Sequence, residues 1–221
     1  MTKNYKNWLI AAVIIAVAAL ALLLVYFSNK NDTGEKDKGV TQKEDRLKGY
    51  LEKEDAIMAK MMQDMHDVPE SGNASAHFLR GMIPHHESAV EMAESYLNYG
   101  GQDKKLKQIA ENIIETQKKE ILEMETMIQR IEAVGETDQE KEAGYLKEYN
   151  KMMASHHGSH SGHDQPDNVD KAFANGMIVH HQMAIDMSEA VLRYTDDEEV
   201  TTLAQNIISA QEKEIQQMQE I

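Results

Sequence analysis

The feature that most constrains the fold of this chain is an internal duplication. A segment with two adjacent histidines occurs twice, as FLRGMIPHHESAVEMA at 78–93 and as FANGMIVHHQMAIDMS at 173–188. Eight of the sixteen positions are identical, at a constant offset of 95 residues. A second segment recurs as AENIIETQKKEILEM at 110–124 and AQNIISAQEKEIQQM at 204–218. Two similar halves with the same order of elements are therefore predicted to form one core.

Apolar residues recur with helical spacing from residue 41 onward, and strand-like alternation is nearly absent. Upstream of each histidine pair, a KMM triplet at 60–62 matches one at 151–153. We predict helices at 41–66, 74–99, 102–133, 139–157, 169–195 and 197–221. Pro84 lies inside one of them and is expected to kink it or loosen one turn.

This pattern predicts an all-α fold. Two helical hairpins related by a pseudo-two-fold axis make a four-helix bundle, with the two leading helices packed alongside. The first helical repeat is assigned to 41–134 and the second to 135–221, and both belong to one bundle domain.

The amino terminus carries a long apolar stretch. Residues 8–27 hold twenty residues without a charge, the length that crosses a bilayer as a helix. We predict a transmembrane anchor at 8–27, a cytoplasmic tail at 1–7 and a flexible linker at 28–40. A cleaved signal peptide is the alternative. Lys3 and Lys6 precede the span, so the positive-inside bias places the remainder outside a bacterial cell membrane.

The amino-acid composition limits the kinds of functional site that this chain can form. The chain has 15 Met, 10 His and no Cys, and its formal net charge is −15. Disulfides, thiolate zinc sites, iron–sulfur clusters and cysteine nucleophiles are thereby excluded. The acidic balance argues against a nucleic-acid partner, because phosphate binding needs a basic face. Thioether and imidazole remain as the donors that bind soft or borderline metals.

Polar residues interrupt the apolar faces of the repeated helices. His85 and His86 lie midway along a stripe that is otherwise apolar, and Gln117 followed by Glu120 interrupts the seam of the next helix. We expect the histidine pair of each repeat to meet the glutamate of that repeat in the core. One interpretation is a hydrogen-bonded layer that only fixes helix register. The other is a metal site built from these groups and neighbouring Met.

Two further clusters are predicted to be more exposed. MxxMMxxM at 58–65 places four thioethers on one helix face, where they either bind a soft cation or simply pack. A short tract at 156–163 is rich in His, Gly and Ser, which is typical of metal-binding tracts. The secondary metal ligands proposed in these clusters are Met58, Met61, Met62, Met65, His66, Met152, Met153, His156, His157, His160 and His163.

The paired motifs resemble the bacterial "domain of unknown function 305" family. Its hallmark is a M-I-x-H-H-x-x-A-x-x-M helix followed by a Q-x-x-E-I-x-x-M helix. The resemblance implies a ferritin-like helical bundle, secreted or membrane-anchored, in a family where some members bind copper in the periplasm. The metal ligands that it implies are Met82, His85, His86, Met92, Gln117, Glu120 and Met124, with the copies Met177, His180, His181, Met187, Gln211, Glu214 and Met218.

The resulting expectation is a membrane-anchored, extracytoplasmic protein that buffers or delivers copper. Cu(I) is the preferred metal, and Ag(I), Cu(II) or Zn remain compatible with the donors. The expected partners are metal ions, the membrane and a protein for metal delivery that no motif identifies. Two alternatives stay open, a ferritin-like metal-dependent oxidase and a structural bundle with a buried His–Glu layer. Nucleophile–base pairs and phosphate-binding glycine loops are missing from the sequence, so a non-enzymatic role is expected.

Overall fold

The computed structural model describes residues 42–156 and 166–221, and in these ranges every regular element is a helix. The anchor predicted at 8–27, its flanking segments 1–7 and 28–40, and His157, His160 and His163 lie outside the described residues. None of the described helices is long and apolar enough to cross a membrane. Contacts divide the chain into a unit at Met1–Asp45 and a unit at Arg46–Ile221. The helices are α1 at 42–66, α2 at Ala74–Asn98, α3 at Lys104–Val134, α4 at Gln139–His156, α5 at Val169–Val191 and α6 at Glu198–Gln219.

The helix boundaries follow from capping residues in the sequence. Asn73, Asp103, Asn168 and Asp197 each accept a hydrogen bond from a free backbone N–H in the first turn of the helix that follows. α3 ends at Gly135, which adopts a left-handed conformation with φ of 68°. These bounds agree with the predicted helices to within about two residues, with one exception.

The exception is the end of α5, which was predicted at residue 195 and lies at Val191. The N–H groups of Tyr194 and Thr195 both bond to the carbonyl of Val191, which closes the chain into a turn. The Thr195 hydroxyl then accepts a bond from the N–H of Asp197, the residue that caps α6. Residues 192–195 therefore form the turn that leads into the amino-terminal cap of α6, and they do not continue α5. α2, by contrast, stays helical on both sides of Pro84.

The bundle is built from two helical pairs. α2 packs along α3, α5 packs along α6, and α2 and α5 contact each other. α4 lies against α5 and α2. The predicted four-helix arrangement with additional leading helices is consistent with these contacts.

The apolar core consists of two clusters, and the repeated polar residues fall between them. Along α2, Phe78, Leu79 and Met82 belong to the first cluster, while Ala89 and Met92 belong to the second. His85 and His86 are the residues in between. The same division applies on α5, where residues up to Met177 lie in the second cluster and residues from Met183 onward lie in the first. A polar layer thus crosses the middle of the bundle.

The leading helices α1 and α4 are also copies of each other. Their alignment differs from the one that the KMM triplets indicate. Gly49 lies against the ring of Tyr99, and Gly144 lies against the ring of Tyr194, so that a side chain at either glycine would collide with the ring. These pairs are related by 95 residues, whereas the KMM triplets are related by 91. The sequence signal for the correct register is Gly-Tyr-Leu, which occurs at 49–51 and 144–146.

Candidate metal centre

Four histidines form the centre of the polar layer. His85, His86, His180 and His181 are all completely buried. The rings of His85 and His180, one from each repeat, lie 3.8 Å apart between centroids and are tilted by 42°. Within each pair the rings are about 6 Å apart, at 6.2 Å for His85 and His86 and 6.1 Å for His180 and His181. The two repeats therefore bring their histidines together, a contact that the sequence analysis did not predict.

Each outer histidine is bonded to the glutamate of its own repeat. His86 Nε2 lies 2.8 Å from Glu120 Oε2, and His181 Nε2 lies 2.7 Å from Glu214 Oε2. The predicted pairing of histidine and glutamate is thereby present in both repeats. Because a carboxylate only accepts, Nε2 of each ring is the donor.

The inner histidines are held by backbone and by one serine. His85 Nε2 lies 3.1 Å from the carbonyl oxygen of His180, which also only accepts. Ser88 Oγ is 2.6 Å from the carbonyl of His85 and 2.7 Å from His180 Nε2. Since the hydroxyl donates its one hydrogen to that carbonyl, His180 Nε2 must donate to the hydroxyl oxygen. All four rings therefore carry a hydrogen on Nε2.

The opposite nitrogen of every ring is buried and lacks a hydrogen-bond partner among the described residues. In a neutral imidazole that donates through Nε2, Nδ1 is an acceptor and a metal ligand. Nδ1 of His85, His86, His180 and His181 has no hydrogen-bond partner within residues 42–156 and 166–221. The side-chain amide oxygens of Gln117 and Gln211 are also buried without a hydrogen-bond partner among the described residues. Buried polar atoms are normally satisfied, so four unpartnered Nδ1 atoms on neighbouring rings call for an explanation such as a bound ligand.

Burial keeps the inner rings in the form that binds metal. It lowers the pKa of His85 and of His180 well below the ordinary value, and the neighbouring histidines lower each pKa further. A neutral ring leaves Nδ1 unprotonated, which is the state that coordination requires.

Thioethers flank the layer on both sides. The six methionines predicted as ligands are buried, with exposed fractions of 2% or less. They divide equally between the apolar clusters, with Met82, Met124 and Met187 in the first and Met92, Met177 and Met218 in the second. Each side therefore combines sulfur from both repeats. Among the described residues, no three His, Asp or Glu side chains are grouped closely enough to hold a metal ion.

The predicted exposed methionine cluster is partly wrong. Met61 and Met65 are buried, with exposed fractions of 1% and 0%, and they belong to the first apolar cluster. Met58 and Met62 are half-buried on the same helix. Half of the predicted cluster thus fills the core, because the helical spacing that gathers the sulfurs on one face also turns that face inward.

The other secondary residues are placed only in part. Met153 is buried, with an exposed fraction of 6%, and Met152 is half-buried at the end of α4. His66 is exposed near the end of α1. His156 is the last residue of α4. The structure thus describes only some of these residues, and their role as metal ligands stays a prediction.

Sequence reasoning missed several polar residues in the core. Ser88 contacts both inner histidines, and its only signal is that the second repeat has Met183 at the equivalent position. Glu54 is buried, and one of its carboxyl oxygens has no partner among the residues described. Glu142 accepts bonds from Ser71 and Gly72. These contacts connect segments far apart in sequence, which is why periodicity gave no sign of them.

Comparison with known proteins shows the family to which this chain belongs. The sequence profile of the family described as Domain of unknown function (DUF305) matches residues 29–128 and 75–221. These two overlapping matches span most of the chain. The chain therefore belongs to the DUF305 family, which confirms the resemblance found in the paired motifs.

Several individual proteins are similar to this chain. CopM in an Ag-bound form obtained by soaking is 31% identical, over 66% of this chain and 93% of CopM, with a TM-score of 0.48. A DUF305 fragment from Deinococcus radiodurans is 22% identical, over 69% and 97% of the two chains, with a TM-score of 0.46. Uncharacterized protein L153 of Acanthamoeba polyphaga mimivirus is 46% identical over 52 residues, which are 24% of this chain. This chain covers 34% of that viral protein, about a third of its length.

Proposed function

We propose that this protein binds Cu(I), and also Ag(I), at the polar layer of the bundle, and that it buffers or delivers copper outside the cytoplasm. The observation that carries the proposal is the set of four buried Nδ1 lone pairs, each created by a hydrogen bond at Nε2 of the same ring. A layer that served only for packing would be expected to pair these atoms.

The chemistry of the donors selects the metal. Thioether sulfur favours Cu(I) over harder ions, and imidazole is compatible with copper in both oxidation states. Met82, Met124 and Met187 supply sulfur on one side of the layer, and an equivalent set supplies it on the other. Gln117 and Gln211 add two amide oxygens. Carboxylates alone would have suited Mg²⁺, Ca²⁺ or Mn²⁺ instead.

The two glutamates take a positioning role. Metal-binding histidines usually donate their second ring nitrogen to a carboxylate, which fixes the tautomer and the orientation of the ring. Glu120 and Glu214 make this bond in the two repeats. We accordingly assign them as the residues that orient His86 and His181, rather than as direct ligands as the resemblance implied.

A family member supports the choice of metal. CopM, whose sequence is 31% identical over 93% of its length, has been solved in Ag-bound, Cu(I)-bound and Cu(II)-bound forms. The ferritin-like arrangement and the membrane anchor at 8–27 are part of the proposal. The first rests on what the family resemblance implies, and the second rests on the apolar amino-terminal segment. The anchor would hold the bundle at the outer face of a bacterial cell membrane.

The proposal is tested by titrating the full chain with Cu(I) against a competing chelator. Replacing His86 and His181 by Gln keeps a side-chain N–H that can donate to the glutamates and removes the imidazole lone pairs. We expect weaker Cu(I) binding in this variant, with unchanged helical content. His66→Ala, at an exposed position, is the matched control and should bind as the wild type does. Equal affinity in all three proteins would overturn the proposal.

Thermal melting separates metal binding from a purely structural layer. A ligand that binds only the folded protein raises its stability by mass action. Addition of Ag(I) should therefore raise the melting temperature of the wild type and leave that of the double Gln variant less changed. Identical melting with and without metal would favour the structural alternative. Iron or manganese, rather than copper, in protein purified from its host would favour the oxidase.

A further inference from the structure

A groove on the second repeat connects the surface with a buried sulfur. It lies between α4 and α5, has a volume of about 580 Å³, and is lined by residues that include Tyr149, Met152, Asp186 and Met187. Met152 is half-buried at the groove, whereas Met187 is only 1% exposed and belongs to the first apolar cluster. Two thioethers from different helices thus line one cavity, one near solvent and one in the core.

We infer that this groove is the route by which a soft metal ion reaches the buried layer, and that Met152 is the first thioether to bind it. The inference rests on the proposed function. Met187 is the point where the groove meets the proposed centre, because it lies on the same side of the layer as Met82 and Met124.

The floor of the groove lies close to the histidine layer. A Cβ atom at Gly81 of α2 would lie 3.1 Å from the hydroxyl of Tyr149 and 3.4 Å from the terminal methyl of Met187. Tyr149 and Met187 therefore occupy the space that a side chain at Gly81 would take, beside α2. His85 follows Gly81 by four residues, which is about 6 Å along a helix axis. A metal ion held at Met187 is consequently about one helical turn from the inner histidines.

The equivalent place in the first repeat is built differently. At the offset of 95 residues, Met152 corresponds to Ile57, Tyr149 to Glu54 and Met187 to Met92. Ile57 and Glu54 are buried, with exposed fractions of 3% and 5%. Position 152 can therefore be compared with its equivalent, position 57, in the same protein. The fold accommodates a branched alkyl group at this position, so packing alone does not require a thioether at Met152.

The charges around the groove do not compete for the role of Met152. Acidic and basic side chains both line it, and the carboxylate of Glu148 is already bonded to Arg193 and to the hydroxyl of Tyr194. The side-chain amide of Gln182 donates to Asp186. Glu189 also lines the groove and is exposed. Carboxylates are hard donors, so selection for a soft cation in this groove falls to sulfur.

The inference is tested by the rate at which the full chain takes Cu(I) from a coloured chelator, followed by stopped-flow absorbance. Met152→Ile installs the residue of the first repeat and is expected to slow uptake several-fold while equilibrium affinity changes little. Met127→Ile is the matched control, because Met127 is another half-buried methionine beside the first cluster and lines a different groove. Its uptake rate should equal that of the wild type.

A second variant keeps the test independent of small packing changes. Met152→Lys places a cation at a half-exposed position that tolerates a long side chain, and uptake should slow more than in Met152→Ile. Equal uptake rates for the wild type and both Met152 variants would overturn the inference. The proposed function would still stand in that case if the His86 and His181 variant bound Cu(I) more weakly than the wild type. A slower rate in Met127→Ile alone would also overturn it. Lack of Cu(I) binding by the wild type would overturn the proposed function and the inference together.

Discussion

His86 donates its Nε2 hydrogen to Glu120 across 2.8 Å, and the duplicated pair His181 and Glu214 repeats this bond at 2.7 Å. The bond directs the free lone pair of each ring to Nδ1, inside the core. Because the glutamates are only partly buried, with side-chain exposures of 14% and 19%, each bond links the layer to the surface of its helical pair.

Weakening these bonds should weaken metal binding. In Glu120→Gln with Glu214→Gln, an amide oxygen replaces a charged acceptor, and loss of such supporting bonds typically costs about 10- to 100-fold in metal affinity. Competition titration with Cu(I) measures the change. Glu123→Gln, which affects only an exposed ion pair with Lys119, is the control. Unaltered affinity in the double variant would remove the positioning role.

Ser88 should contribute more to stability than Ser95, another buried serine on the same helix. Ser88→Ala leaves the Nε2 hydrogen of His180 without an acceptor, which should cost about 1–3 kcal/mol in the free energy of unfolding. Ser95 is also buried, and its hydroxyl has no partner in the described part of the chain. Ser95→Ala should therefore change stability much less. Chemical denaturation of both variants makes the comparison, and equal losses would contradict the assigned bond.

Glu54 should make the protein less stable as pH rises. Burial, followed by the charge of Asp55, raises the pKa of Glu54 from 4.5 to about 8. Its raised pKa means that the folded protein holds a proton that the unfolded chain releases. The stabilising effect is present below about pH 4.5 and is lost as pH rises to about 8.

Glu54→Gln should remove this dependence. A shift of this size corresponds to at most about 5 kcal/mol between the two ends of the range. Denaturation at several pH values should show the variant gaining stability relative to the wild type as pH increases. Glu52→Gln, which affects an exposed ion pair with Lys48 on the same helix, is the control. Parallel pH profiles for wild type and Glu54→Gln would show that Glu54 ionises freely in the folded protein.

Glu142 should make the protein less stable as pH falls, which is the opposite of the effect of Glu54. Burial raises its pKa, but bonds from the N–H and hydroxyl of Ser71 and from the N–H of Gly72 outweigh burial and lower it below 4.5. The carboxylate therefore stabilises the fold above the unfolded pKa, and this stability is lost as pH falls through the lower folded pKa. Glu142→Gln should cost about 1.5–3 kcal/mol at neutral pH and flatten the acid side of the stability profile. An unchanged acid midpoint would contradict the assignment.

The sequence predicted the parts of this fold that are local or duplicated. Helical periodicity predicted the elements, and the polar residues on the repeated apolar seams predicted the meeting of His86 with Glu120. The free Nδ1 atoms were beyond sequence reasoning, because they depend on which nitrogen meets an acceptor in three dimensions. The burial of Met61 and Met65 was likewise set by tertiary packing, which the spacing of one helix does not determine.

The most direct test of the central claim is nitrogen NMR of the histidine rings in the full chain, before and after addition of Ag(I). Without metal, His85, His86, His180 and His181 should each show a protonated Nε2 and an unprotonated Nδ1. On binding, the Nδ1 resonances of rings that ligate silver should shift and show scalar coupling to the silver nucleus, while Nε2 keeps its proton. Coupling at Nε2, or ring spectra that do not change with bound silver, would contradict the account.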